Sequence, residues 1–83
     1  MKSDTLDQLV DIIAGVTGNE PETVVPEADL EDDLGIVLDE DFTRLIFNIN
    51  QKFDIQLDEE SVSEVVSTVA DLGNIIDEEL ELG

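Results

Sequence analysis

Five apolar residues constrain this chain more than anything else in it. Phe42, Leu45, Ile46, Ile49 and Phe53 stand at i, i+3, i+4, i+7 and i+11, a spacing that gathers them on one face of a helix. Asp39 stands just ahead of the run, where a side-chain oxygen can accept an orphan backbone N–H as an N-cap. Glu40 and Asp41 put negative charge in the first turn and Lys52 puts positive charge in the last, both favourable to the helix dipole. A helix with so sharp an apolar stripe is stable only when other elements cover it.

The covering elements follow from the same reasoning. Leu6, Leu9, Val10, Ile13 and Val16 recur at helical spacing, so a first helix is expected from Ser3 or Asp4 to about Val16, with Gly18 as its left-handed terminator. Ile12 falls beside that stripe. From Asn19 to Asp33 two prolines bias their predecessors away from helix, and the segment reads as a long loop in which Pro21 could open a short turn. A loop of this length needs anchors, and Val24, Val25, Leu30 and Leu34 are the candidates.

After Phe53, Ile55 and Leu57 alternate with polar residues in a link too short for an independent strand. A short helix is expected behind Asp58, carrying Val62, Val65 and Val66. Its β-branched content makes it the least stable one. Thr68 and Asp71 then form a capping-box-like start to a last helix, whose inward stripe is Val69, Leu72, Ile76 and Leu80. Gly73 inside it costs roughly 1 kcal/mol against Ala, a cost that close helix approach would justify. The acidic tail from Asp77 is expected to fray.

Charge bounds the partners. The chain carries 23 acidic residues against 3 basic ones, a net charge of −20. No Lys/Arg stripe exists to displace counterions from a nucleic acid, and an anionic membrane would repel such a surface. Proteins with basic or apolar docking surfaces are the expected partners, and self-repulsion favours a monomer. Leu, Ile, Val and Phe supply over a third of the residues, well above the roughly 20% below which disorder is expected. There is no Cys and no His, which removes disulfides, thiolate catalysis and Cys-type zinc sites. With no apolar leader and no run approaching ~20 apolar residues, a cytoplasmic location is expected.

The acidic loop ending in D-D-L-G (Asp32 to Gly35), followed by an amphipathic helix that closes in F-D-I (Phe53 to Ile55), resembles the acyl carrier protein family. E-T-V-V-P-E-A-D-L (Glu22 to Leu30) and the Ser67-Thr68-Val69 start of the last helix extend the likeness over about the whole chain. The resemblance implies an all-α bundle of three longer helices and one short one, at about 3–16, 39–52, 59–66 and 68–80. A long loop joins the first two, within a single domain spanning 1–83. It also implies that the second helix meets partner proteins, that the short helix flexes to admit an acyl chain, and that phosphopantetheine is attached to a serine in a D-S-L triplet.

That serine is missing. Counting forward from Gly35, its position falls on Leu38; counting back from Phe53, it falls on Asp39, because one extra residue lies between the two landmarks. The serines are Ser3, Ser61, Ser63 and Ser67, and the nearest hydroxyl is that of Thr43, expected a turn inside the helix with little access. The outer face of that helix carries Arg44, Asn50, Gln51 and Lys52 where the family is usually acidic, so two of three basic residues lie on it. The expectation is a carrier-like interaction module without its prosthetic group, docking through Asp39, Glu40, Thr43, Arg44 and Phe47. Phe47 either completes a broad buried face or stands exposed as an anchor. The alternatives are a carrier modified at Thr43, and an acidic divalent-cation binder using Asp29, Glu31, Asp33 and Glu40 in an EF-hand-like register. That register has Leu34 where the sharp turn needs Gly. Acid–base catalysis by Asp32 and Asp33 would need a pocket to shift their pKa values, and no enzyme activity is expected.

Overall fold

The computed structural model describes residues 2–37 and 40–82. Four helices make the bundle: α1 (Ser3–Thr17), α2 (Asp41–Phe53), the short α3 (Glu59–Val65) and α4 (Val69–Leu82). Helix α1 packs on α2 and α4, and α3 packs on α2. Leu9, Ile13, Phe42, Leu45, Ile49, Val69, Leu72 and Ile76 are fully enclosed between them. Four of the five residues of the α2 stripe are buried, and Phe53 closes its lower end half-buried. The bundle measures 30 × 26 × 20 Å.

The loop between α1 and α2 is held at every few residues. Gly18 takes the left-handed conformation at φ 79° and its N–H reaches the Ala14 carbonyl, ending α1 one residue beyond the expected Val16. Asn19 Nδ2 donates to the Leu34 carbonyl at 2.9 Å, tying the start of the loop to its end. Pro21–Thr23 forms one 3₁₀ turn. The segment then runs antiparallel to the start of α4: Leu30 N–H donates to the Ser67 carbonyl at 2.9 Å and Val69 N–H to the Ala28 carbonyl at 3.1 Å. Among the described residues this isolated bridge at Asp29 and Thr68 takes the place of any strand. Val24, Leu30 and Leu34 anchor the loop as expected; Val25 does not, because the turn at Val25–Ala28 points it to solvent at 40% exposure.

Three other expectations change. Val65 is 67% exposed, since α3 contributes only its Val62 side to the core. Leu80, on the last turns of α4, is 37% exposed. The acidic tail stays helical to Leu82. At the other end of α4 the expected cap is complete. Asp71 N–H donates to Thr68 Oγ1 at 3.2 Å, and Asp71 Oδ2 accepts from the N–H groups of Ser67 and Thr68. Gly73 is buried.

Candidate functional site

Among the described residues, the outer arc of α2 is the only helix face that combines basic, amide and aromatic side chains. At about 100° per residue, Thr43 lies at one edge of that arc, Phe47 and Gln51 along its crest, and Arg44, Asn48 and Lys52 toward the other edge. Structural contacts fix which edge is which. Thr43 Oγ1 donates to Glu59 Oε2 at 2.7 Å, so its edge abuts α3. Arg44, Asn48, Gln51 and Lys52 line an open groove with Asp11, Ile12, Gly15 and Val16, so theirs abuts α1.

Phe47 is 60% exposed, which settles its two readings in favour of an aromatic on the surface. Arg44 Nη1 stands 4.0 Å from Asp41 Oδ1, the outer limit of an ion pair and a weak one at 64% exposure of the arginine. Asn50, expected outward, faces inward instead and is half-buried against the link to α3. It therefore belongs to the scaffold, and the departure from an acidic recognition helix rests on Arg44, Gln51 and Lys52.

The start of α2 is built differently from the sequence expectation. The family serine position, on Leu38 or Asp39, lies outside the described residues, and with it the expected Asp39 cap. The residue preceding the helix is Glu40, whose side chain caps nothing. Asp41 Oδ2 accepts from the Val37 N–H at 3.2 Å instead, and the Val37 carbonyl takes the N–H groups of Glu40 and Phe42. Thr43 consequently lies in the first turn of the helix and is exposed, not a turn inside it. Its signal in the sequence was only its nearness; its accessibility depends on where the helix begins.

The acidic loop gathers its carboxylates for a local purpose. Asp29 Oδ1 accepts from the N–H groups of Glu31 and Asp32 at 2.9 and 2.8 Å, and Asp33 Oδ2 accepts from Asp29 N–H at 2.7 Å. This is a reciprocal cap around one helical turn, closed by Gly35 at φ 70°. Among the described residues, no three acidic side chains converge in a metal-binding arrangement. A small cavity of about 120 Å³ lies behind this turn, between Leu30, Ile36, Phe42 and Val66.

Two carboxyls elsewhere are held below their ordinary value. The Ser67 and Thr68 N–H groups do this to Asp71, mild burial acting against them. Burial alone would raise Asp77, but the Thr5 hydroxyl at 2.6 Å, the Lys2 N–H at 2.9 Å and nearby positive charge outweigh it.

With the bundle, the tethered loop and the exposed outer arc of α2 in place, the comparison with known families is direct. Residues 7–76 match the model of the phosphopantetheine attachment site family, and the chain belongs to that family. No curated protein matches it as a relative. Among the described residues no helix is long and apolar enough to cross a membrane.

Near the start of α2 the only described hydroxyl is that of Thr43, and it is committed to the Glu59 carboxylate. Ser61 and Ser63, on α3, donate to Asp58 Oδ2 and the Glu60 carbonyl.

Proposed function

We propose that this chain is a non-enzymatic, carrier-type interaction module that takes no phosphopantetheine at the family's usual position. It acts as a cytoplasmic monomer and docks proteins through the outer arc of α2. Glu40, Thr43, Arg44 and Phe47 form the contact, with Asp39 ahead of them, and the partner offers an apolar pocket for Phe47 and basic groups for the surrounding carboxylates. The observation that carries this reading is the residue type at the attachment position: Leu38 or Asp39, according to register, neither with a hydroxyl. Loss of the nucleophile while the fold and the exposed aromatic are kept is the pattern of a scaffold retained for recognition.

Exposure of Thr43 in the first turn of α2 favours one second reading, a true carrier modified at that hydroxyl. Intact mass after incubation with coenzyme A and a broad-specificity phosphopantetheinyl transferase separates the two. An unchanged mass is expected. A gain equal to one phosphopantetheine overturns the first reading, and its disappearance in Thr43→Val assigns it to the second.

A further inference from the structure

The groove between α1 and α2 is a feature that recognition by Phe47 alone leaves unused. Its wall on α2 is the series Arg44, Asn48, Lys52, at i, i+4 and i+8, a straight row of hydrogen-bond donors about 12 Å long. Its floor on α1 is Ile12 and Val16, both half-buried. Gly15 makes the room: a Cβ built there meets nothing within 4 Å. The open volume is about 490 Å³, with Asp11 as its single acidic lining residue. Two of the three basic residues of a chain at −20 thus face one channel. Among the described residues, only the loose contact of Arg44 with Asp41 neutralises either of them.

We infer that this groove receives a helix of a protein partner whose near edge carries carboxylates, an apolar side chain of that helix seating on Ile12 and Val16. Charge complementarity selects the occupant. The donor row suits acceptors spaced two turns apart on a helix, and the apolar floor suits the stripe between them. At physiological salt the Debye length is ≈ 8 Å, so the row acts on a docked neighbour while the more distant acids are screened. The inference rests on the docking reading above and adds direction to it. Glu59 flanks one edge of the arc and Arg44 and Lys52 the other, so a partner meets opposite charges on its two sides and binds in one orientation.

The test is an amide NMR titration of the intact protein at physiological salt with a stapled helical peptide. The peptide bears a Leu stripe and two Glu residues seven positions apart; a second peptide has Gln in place of both. The Glu peptide is expected to move the resonances of Ile12, Gly15, Val16, Asn48 and Lys52, and the Gln peptide to bind at least fivefold more weakly. Gly15→Leu fills the groove from a helical position with free space, keeps the fold, and is expected to abolish the shifts. Arg44→Glu with Lys52→Glu should do the same. Shifts absent with the Glu peptide, equal for both peptides, or unchanged in Gly15→Leu overturn the inference. The intact-mass result is independent of these outcomes, so failure here leaves the reading of α2 standing, and a gained prosthetic group leaves the groove standing.

Discussion

The side-chain amide of Asn50 pairs with both backbone groups of Leu57: Leu57 N–H donates to Asn50 Oδ1 at 2.8 Å, and Asn50 Nδ2 donates to the Leu57 carbonyl at 3.2 Å. One side chain thus does what a neighbouring strand would do for the link between α2 and α3. Asp54 turns the chain into that link in the left-handed conformation at φ 57°, and Leu57 is buried beneath it. Asn50→Ala leaves a part-buried N–H and carbonyl without partners, at a cost of about 1–3 kcal/mol. A urea midpoint no lower than that of the parent protein would show the clamp to be dispensable.

Phe42 and Phe47 lie on the same helix with opposite consequences. Phe42 is fully enclosed, and Phe42→Ala should remove about 3–5 kcal/mol. A domain of this size has on the order of 4–12 kcal/mol in total, so that loss is a large fraction of it and the urea midpoint of the variant should fall sharply. Phe47→Ala, at a position 60% exposed, should change stability by less than about 0.5 kcal/mol while weakening partner capture. Equal destabilisation by the two substitutions would remove Phe47 from the surface and from the docking face.

Strong acid should act on this protein through two carboxylates. Asp71 and Asp77 are depressed in the fold, so their contribution is fully present above the unfolded value of 3.8 and is lost as pH falls through their lower folded values. Melting temperature should therefore fall in strong acid. Asp77→Asn should lower stability at pH 7 and flatten the acid fall. A variant whose acid limb superimposes on the parent's would exclude Asp77 from it.

Salt should stabilise. At 10 mM ionic strength the Debye length is about 30 Å, as long as the bundle itself, so all the charges repel one another. At 150 mM it is about 8 Å and only neighbours interact. With a net charge of −20, melts at these two salt concentrations should differ by several degrees, the higher salt giving the higher value. Coincident melts would refute the role given to self-repulsion.

Periodicity made the helices legible because each has a face, and local chemistry made their ends legible where the cap is intrahelical, as at Thr68 and Asp71. It could not place residues whose surroundings come from elsewhere in the chain. Asn50 reads as outward from its spacing on α2, but the link that folds over it is set by Asp54 and Leu57. Val25 reads as an anchor like Val24, yet the two are adjacent and the turn that follows leaves only Val24 buried. Thr43 shows the same limit at the candidate site. Its accessibility follows from a helix start that Val37 and Asp41 determine, and neither residue has a sequence signature for that task.

The bridge between Ala28–Leu30 and Ser67–Val69 has a consequence for how the molecule assembles. The residues it joins are separated by nearly half the polypeptide, so the crossing cannot form early from nearby neighbours; it waits until the last helix has arrived. Cutting the chain ahead of Ser67 therefore leaves the long connection without its mooring as well as removing a helix. Amide protons at Leu30 and Val69 should exchange together, in a single cooperative opening.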